Sequence, residues 1–326
     1  MSAVLPPRAE RRAKRPLLAL FQGLLTLALT LLGLLLVTFA LSALSPVDRV
    51  LQIVGDHASQ STYDQVRHQL GLDQPLPVQF LVFVKNTLTG DLGRSIMLKA
   101  PVTEVILSRL PTTIFLALYS VVLAVLLAGP LAFLAASRVN SPVDVAIRGV
   151  FQVGLSMPVF YIGLLLLTVL AAQLRWFPVG GYGKTFLANL YHLILPALSV
   201  ALYTSAIILR NLRASLIEVL DAEYVQFARA KGLSPRIIMT RHVLRNALVS
   251  TVTLLGLSIG NLMSGTLVTE TVFAIPGVGR LMLEAIFARD YPLIQGLTLT
   301  FAVLVSVVFL LTDVVQSWLD PRLRQS

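Results

Sequence analysis

Side chains that could perform covalent, metal or phosphate chemistry are few in this chain and are scattered along it. The 326 residues contain no cysteine, which excludes disulfides, thiolate metal sites and cysteine nucleophiles. The four histidines, at positions 57, 68, 192 and 242, lack the H-E-x-x-H spacing, so we expect no metal site. A G-x-x-x-x-G-K-[ST] phosphate loop is absent, and no nucleophile, base and metal ligands fall together. The sequence therefore predicts neither an enzyme active site nor a bound cofactor.

The polar segment 221–236, DAEYVQFARAKGLSPR, carries the strongest local pattern of charged and aromatic residues. Asp221 suits an N-cap, where its carboxylate would accept a free N–H of the first turn. Glu223 in the first turn and Lys231 in the last match the helix dipole. Gly232 suits the left-handed position after a helix, and Pro235 prevents continuation. We predict a helix of about ten residues here, roughly 15 Å long.

One face of this short helix is apolar and aromatic. Leu220, Tyr224, Phe227 and Lys231 follow a three-to-four spacing and would share that face. The helix is too short and too charged to span a bilayer. Two readings remain open from the residues alone: a helix that lies in a groove of another protein, or one that lies on lipid headgroups.

The composition places the rest of the chain in a membrane. Hydrophobic residues make up 56% of it and charged residues 13%, with a mean hydropathy of +0.81, which exceeds what one soluble core can bury. Six windows without Lys, Arg, Asp or Glu are long enough to cross a bilayer. They are residues 17–44, 110–137, 149–174, 185–209, 246–269 and 291–312.

Basic residues indicate the orientation. With both termini in the cytoplasm, sixteen of the 26 Lys and Arg residues lie inside, although the outside segments are longer. This bias accounts for the net charge of +10 better than nucleic-acid binding does. The first apolar run is about twice the length of a signal-peptide core and lacks a clear cleavage site, so we expect an uncleaved first span.

The predicted organisation follows from these windows. Residues 1–16 form a cytoplasmic tail, 17–44 the first span, and 45–109 an extracytoplasmic segment of short helices and turns. Residues 110–320 form the transmembrane core, whose cytoplasmic loop is 210–245. Residues 321–326 form a second cytoplasmic tail.

Eight short stretches also form a recognisable series along the chain. They are GLDQPLPVQF (71–80), GDLGRS (90–95), SMPVF (156–160), EYVQFARAKGLSP (223–235), RHVLRNAL (241–248), TETVFAIPGVGRL (269–281), RDYPLIQG (289–296) and DPRLR (320–324). Together they resemble the permease subunits of ATP-binding-cassette importers, in the dipeptide, oligopeptide and nickel branch. Of the superfamily's broader pattern, Glu-Ala-Ala, three residues, then Gly, only Ala228 and Gly232 match.

The resemblance implies an all-α fold with six transmembrane helices, the type I ABC importer permease fold, in a bacterial inner membrane. It implies a second, similar permease subunit, two ATP-binding-cassette ATPase subunits that bind ATP and Mg²⁺, and an extracytoplasmic solute-binding protein. It also implies that the short helix couples this chain to one ATPase. The residues that would do so are Asp221, Glu223, Tyr224, Phe227, Ala228, Ala230, Lys231 and Gly232.

Three residues are candidates for the pathway or its gate. Met157 and Pro158 lie inside the third window, where proline removes a helix hydrogen bond and tends to kink the helix. Such a kink serves either gating or static packing. Glu270 lies beside the fifth window, where an acidic group is costly and often functional, but also near a helix end. Structural and pathway roles both stay open for it.

Import of peptides is the leading functional hypothesis. Import of nickel or another chelated metal is the alternative within the same family. An ion-coupled secondary transporter is the alternative from another class, but it would place polar or charged ion sites near mid-membrane, and the six windows carry no charges.

Overall fold

Helices make up all the regular structure in the described part of the chain. A computed structural model describes residues 25–26, 28–41, 43–44, 48–55 and 58–319. The predicted terminal tails, 1–16 and 321–326, lie outside these residues. The described residues divide into two compact units, one containing 112–280 and 305–319, the other containing those up to 111 together with 281–304.

The helices follow one another along the chain with short connections. Their bounds are α1 Ala28–Leu41, α2 Arg49–Val54, α3 Gln60–Gln69, α4 Leu76–Leu88, α5 Val102–Ser137, α6 Pro142–Ser156, α7 Val159–Leu166, α8 Phe186–Asp221, α9 Glu223–Ala230, α10 Pro235–Ile237, α11 Arg245–Val272, α12 Val278–Phe287 and α13 Tyr291–Leu319. Two π-helical stretches, Leu167–Gln173 and Ile238–Leu244, follow α7 and precede α11.

Side-chain caps explain several of these helix starts. Ser141 accepts a hydrogen bond from the backbone N–H of Asp144 at the start of α6, and Pro142 occupies the first helical position. Thr185 accepts one from the backbone N–H of Ala188 at the start of α8. Residues 45–109, predicted to fold as short helices and turns, contain α2 to α4, and glycines with positive φ follow α2 and α3.

Three helices in the described residues are long and apolar enough to cross a membrane: Val102–Ser137, Phe186–Asp221 and Tyr291–Gln316. A fourth span results if Pro142–Ser156 and Val159–Gln173 are counted together, although they are bent by 103°. The first predicted window, 17–44, lies partly outside the described residues. Not all side chains of α11, which contains the fifth window, are described, so six spans stay a prediction.

The core of the larger unit forms around α8. Fourteen of its residues are buried. Five of them share a buried cluster with Ala124, Ala128, Ala132 and Ala136 of α5; they are Ala201, Ile208, Leu209, Leu212 and Leu216. The α5 alanines recur every four residues, so they form a stripe of small side chains that allows two helices to approach closely. The same core continues to the C-terminal end of α8 and includes residues of α9 and α11.

A buried carboxylate organises part of the other unit. Asp290, which is fully buried, accepts hydrogen bonds from the Ser95 hydroxyl at 2.6 Å and from the backbone N–H of Met97 at 3.0 Å. It also accepts one from the backbone N–H of Leu293 in the first turn of α13. The turn at residues 95–98 is thereby fixed to the start of α13.

Candidate functional site

Helix α9 begins one residue later than the sequence indicates, so the prediction that Asp221 is its N-cap is wrong. Asp221 is the last residue of α8, and Ala222 is the N-cap, with extended backbone (φ −67°, ψ 141°) and no side-chain hydrogen bond. The reason is that α8 continues its own helical hydrogen bonding through Asp221, which keeps that residue helical. The side-chain amide of Gln226 instead donates to the Asp221 carbonyl at 3.1 Å.

The C-terminal boundary of α9 is as predicted. Gly232 has a φ of +75°, the left-handed conformation that favours glycine. Pro235 begins the next helical turn, capped by Ser234. The helix itself spans Glu223 to Ala230, eight residues instead of about ten, and Glu223 lies in its first turn.

Two faces of α9 have different surroundings. Val225 and Ala228 are buried and pack in the α8 core, so Ala228 fastens the helix and is not part of its outer surface. Tyr224 and Phe227 point outward and are 46% and 61% exposed. The Lys231 ammonium lies 4.6 Å from the centre of the Phe227 ring, a cation–π distance.

The predicted shared face is therefore only partly correct. Tyr224, Phe227 and Lys231 lie on it, whereas Leu220 belongs to α8 and is partly buried against the core. Asp221, Glu223, Ala230 and Gly232 are exposed around it. The residue spacing predicts one continuous helix here, because it does not indicate the break at Ala222 between α8 and α9.

Helix α9 is attached to two long helices. Val225 and Ala228 share a buried cluster with Leu212 and Leu216 of α8. On the other side, the Tyr224 hydroxyl accepts a hydrogen bond of 3.1 Å from the side-chain amide of Asn246, in the first turn of α11. A displacement of α9 would therefore act on both α8 and α11.

Met157 and Pro158 break the third predicted span instead of kinking it. Met157 ends α6 in extended conformation (φ −101°, ψ 135°), and Pro158 precedes the first residue of α7. The residue before a proline is driven out of the α region by a steric clash, which accounts for the extended Met157. The resulting bend is 103°.

An apolar pocket of about 260 Å³ lies at this bend. Met157 lines it together with residues of α6, α7 and α8. The lining residues are Val150, Phe151, Val153, Gly154, Met157, Ile162, Leu165, Leu166 and Leu202. Such a lining offers neither hydrogen bonds nor charge to a polar solute.

Glu270 is fully buried near the end of α11, and hydrogen bonds occupy both of its carboxylate oxygens. Oε1 accepts from the Thr113 hydroxyl at 2.6 Å, and Oε2 accepts from the backbone N–H of Arg280 at 3.0 Å. The Thr113 hydroxyl in turn accepts from the backbone N–H of Val278 at 2.9 Å. In this conformation the carboxylate holds the turn before α12 and presents no exposed surface.

The same turn is held from its other side. The Phe273 carbonyl accepts a hydrogen bond of 2.9 Å from the backbone N–H of Gly181, and the Phe273 ring is buried close to Gly163. Ala274 adopts a φ of +50°, uncommon for a residue other than glycine. Residues 273–277 therefore form a tightly constrained turn next to Glu270.

No residue pattern in the sequence indicates a role for Thr113 or Val225. Thr113 lies in the interior of the long helix α5, and its pairing with Glu270, 157 positions away in the sequence, follows only from the fold. Val225 is the buried residue that holds α9 against the core, and it lies between the aromatic residues Tyr224 and Phe227 in the sequence. Among the described residues, no three His, Asp or Glu side chains are grouped so as to hold a metal ion.

Two family sequence models match the chain. One, described as "Binding-protein-dependent transport system inner membrane component", matches residues 128–325. The other, described as "Binding-prot-dependent transport system membrane comp, N-term", matches residues 17–117. Together they cover most of the sequence.

Curated relatives align along nearly their whole length. The oligopeptide transport system permease protein AppB of Bacillus subtilis is 37% identical over 299 residues, covering 90% of this chain and 95% of that protein. The dipeptide transport system permease protein DppB of Alkalihalophilus pseudofirmus is 33% identical, with coverage of 92% and 97%. The probable D,D-dipeptide transport system permease protein DdpB of Escherichia coli is 36% identical, with coverage of 91% and 94%.

Solved structures share the fold. A chain of the MetNI methionine ABC transporter in inward-facing conformations superposes with a TM-score of 0.54 at 14% identity, covering 66% of this chain and 96% of that one. A chain of an amino acid ABC transporter with histidines gives 0.51 at 17% identity, with coverage of 66% and 94%. At such identities the likeness is one of fold alone.

Proposed function

The chain belongs to the family of binding-protein-dependent transport system inner membrane components, and from this membership we propose that it is the permease subunit of an ATP-driven peptide importer. The observation that carries the proposal is the alignment, at 33–37% identity and over most of the chain, with permeases named for oligopeptide or dipeptide transport. Substrate would pass between this chain and a second permease subunit of the same family. Hydrolysis of ATP belongs to partner subunits, so this chain is not itself an enzyme.

The proposed assembly contains four kinds of component. Two ATP-binding-cassette ATPase subunits bind ATP and Mg²⁺ on the cytoplasmic side, a second permease subunit completes the pathway, and an extracytoplasmic solute-binding protein delivers the peptide. We place the assembly in a bacterial inner membrane with both termini of this chain in the cytoplasm. The excess of basic residues in the loops assigned to the cytoplasm supports this orientation.

The outer face of α9 is proposed to lie in a groove of one ATPase subunit. Tyr224 and Phe227 are exposed on this face, and the Lys231 ammonium lies over the Phe227 ring. The residues around them are also exposed; they are Asp221, Glu223, Ala230 and Gly232. Exposed aromatic residues at three-residue spacing are typical of a helix that anchors in a protein groove. Lipid headgroups are the competing environment for this face.

Attachment of α9 explains how motion could reach the spans. Because Val225 and Ala228 are packed against α8, and Tyr224 accepts a hydrogen bond from α11, a displacement of α9 would act on both neighbours. ATP binding would close the ATPase pair and displace α9, and the loaded binding protein would favour the same state. Each ligand shifts a two-state balance only by its difference in affinity for the two states.

The bend at Met157 and Pro158 and the turn held by Glu270 are proposed gate elements. The bend interrupts a membrane-crossing segment, and broken helices in transporters commonly line the pathway. Glu270 contributes by fixing the turn before α12, in agreement with its buried hydrogen bonds, and not by contacting substrate in this conformation.

Paired uptake assays test the substrate class. Cells that carry or lack this chain, with the partner subunits present in both, are given labelled di- and oligopeptides and, separately, nickel. We expect peptide uptake to require the chain and nickel uptake to be unaffected. Loss of nickel uptake with unchanged peptide uptake would assign the chain to the metal-chelate class.

Cross-linking tests the docking helix directly. Because the chain contains no cysteine, a single cysteine introduced at Phe227 is its only thiol. We expect a thiol-to-amine cross-linker to join F227C to an ATPase subunit, and not to join L187C, an exposed position in the first turn of α8. Cross-linking of F227C to lipid amines alone would favour the headgroup alternative.

A further inference from the structure

A buried ion pair joins α6 to α8. Asp144, in the first turn of α6, has no exposed surface. Its Oδ1 accepts a hydrogen bond of 2.7 Å from Nε of Arg213, and its Oδ2 accepts one of 2.7 Å from Nη2 of the same guanidinium. Oδ2 also accepts from the backbone N–H of Asn140 at 2.9 Å, and Nε of Arg148, one turn further along α6, lies 3.3 Å from Oδ1.

Stability alone is a poor explanation for such a pair. Removing two charges from water costs much of what their attraction returns, and well-packed apolar residues often stabilise a fold equally well. What a bidentate arginine–carboxylate pair adds is geometry, because two parallel hydrogen bonds fix both distance and orientation. Asp144 and Arg213 therefore hold α6 and α8 in one relative position.

The Asp144–Arg213 ion pair joins two helices that lead to different functional elements. Arg213 lies nine residues before Ala222, on the uninterrupted helix that leads into α9. Asp144 lies on the helix that ends at Met157, where the third span is broken. The pair thus connects the helix entering the proposed docking element with the helix entering the proposed gate.

We propose that Asp144 and Arg213 are the positioning residues that carry displacement of α9 and α8 to the broken helix pair α6 and α7, and so couple ATP hydrolysis to transport. The proposal rests on the proposed function and adds the route within this chain. Neither residue touches substrate or ATP. Breaking the bidentate contact should let the ATPases work without moving the gate.

The decisive variant is Arg213→Lys, which keeps the positive charge but loses the planar fork that makes two hydrogen bonds. The matched control is Arg148→Ala. Arg148 also approaches Asp144, but it lies on the same helix, is partly exposed, and cannot link α6 to α8. If only the positive charge near Asp144 mattered, R148A would be impaired and R213K would not.

The measurement uses the whole assembly, reconstituted in proteoliposomes with the binding protein and peptide. Complex yield, ATP hydrolysis, and peptides imported per ATP are determined for each variant. For R213K we expect a normal yield, continued hydrolysis, and a fall in peptides per ATP of roughly fivefold or more. For R148A we expect all three quantities to stay within about twofold of the unsubstituted chain.

A second variant keeps the proposal testable if R213K does not fold. In the double variant D144C/R213C, the only two thiols of this chain replace the ion pair. We expect peptides per ATP to be low in the reduced protein and to recover when a short reducible bifunctional thiol reagent links the two residues. Reduction of the linker should abolish the recovery, a response that a merely structural contact would not give.

Two results would overturn the proposal. One is an unchanged number of peptides per ATP in both R213K and reduced D144C/R213C. The other is a loss of complex yield with the ratio preserved in the assembled remainder, which would make the pair a structural staple. Failure of the proposed function is distinguishable, because the unsubstituted complex would then import no peptide with ATP.

Discussion

The Thr113 hydroxyl donates a hydrogen bond of 2.6 Å to the buried carboxylate of Glu270, although the two residues are 157 positions apart in the sequence. The same hydroxyl accepts from the backbone N–H of Val278, so one side chain links α5, the end of α11 and the turn before α12. Gly277 and Gly279 lie close to this carboxylate, and a side chain at either position would meet it. The turn is therefore built around Glu270.

Replacement of Gly277 by alanine is expected to destabilise the chain by about 1–3 kcal/mol, because the added methyl group would overlap the Glu270 carboxylate. Glu270→Ala removes that obstacle but leaves buried donors unsatisfied, at a cost of about 1–3 kcal/mol for each. The double variant should therefore be more stable than the sum of the two single effects predicts. Apparent Tm values of the purified chain in detergent complete the double-mutant cycle.

Gly279→Ala provides the control for this cycle. A methyl group there would lie 2.7 Å from the backbone Cα of Leu267 as well as near Glu270, so removal of the carboxylate relieves only part of the clash. We expect a smaller coupling with Glu270→Ala than for Gly277→Ala. If the destabilising effects of Gly277→Ala and Glu270→Ala were strictly additive, the backbone conformation at Gly277, and not the Glu270 carboxylate, would be what excludes a side chain there.

Phe227→Ala is expected to weaken binding of the ATPase subunit without harming the fold. The ring is largely exposed, so its loss should change stability by no more than about 0.5 kcal/mol. As an anchor in a groove, it should contribute about 2 kcal/mol, or roughly 30-fold in Kd. Co-purification of the ATPase at graded concentrations measures this, with Gln226→Ala, an exposed neighbour, as the control. Equal recovery with both variants would remove Phe227 from the interface.

Substitutions at Gly232 test the C-terminal end of α9 through their effect on backbone conformation alone. A side chain there meets nothing within 4 Å, but the φ of +75° costs a β-branched residue about 1–2 kcal/mol. Gly232→Val should therefore disturb the helix end and lower ATP-driven uptake, with membrane insertion unchanged. Gly232→Asn, which tolerates the left-handed region, should retain uptake within about twofold. Similar uptake by both variants would argue against a role for this helix end in coupling.

Pro158→Ala is expected to straighten the bend between α6 and α7, because Met157 is then free to adopt helical backbone angles. Spin labels on cysteines introduced at Val145 and Leu164 report the change by pulsed dipolar spectroscopy. A continuous helix would place these residues about 29 Å apart, farther than the bent pair does. Pro196→Ala, at a proline inside the continuous helix α8, should leave the distance unaltered. An unaltered distance in P158A would assign the bend to packing instead of proline.

Local features of the docking helix could be read from the sequence because their causes are local. A glycine that terminates a helix and a proline that follows it act through their own backbone, and Gly232 and Pro235 behave as expected. The N-cap prediction for Asp221 is wrong because α8 continues its helical hydrogen bonding through that residue, and the local capping preference does not reveal this. The sequence predicts a kink at Pro158, whereas the helices on either side are bent by 103°, because a proline indicates where a helix is interrupted but not the angle of the bend.

Contacts between distant residues could not be predicted from one sequence. Asp144 and Arg213 are 69 positions apart, and nothing in the sequence around either residue distinguishes it from the other charged residues of the chain. Buried Val225 shows the same difficulty at short range, because helical spacing alone does not say which face of α9 is turned toward the core. The eight family stretches, by contrast, identified the fold and the class of transporter.

Peptide uptake by the purified assembly tests the central claim most directly. Proteoliposomes containing this chain, its partner permease and the two ATPases are supplied with binding protein, labelled peptide, and either ATP or an imposed ion gradient. We predict uptake that requires ATP, the binding protein and the ATPase subunits, and that is absent with an ion gradient alone. Peptide accumulation driven by the ion gradient, with no ATPase present, would contradict the account.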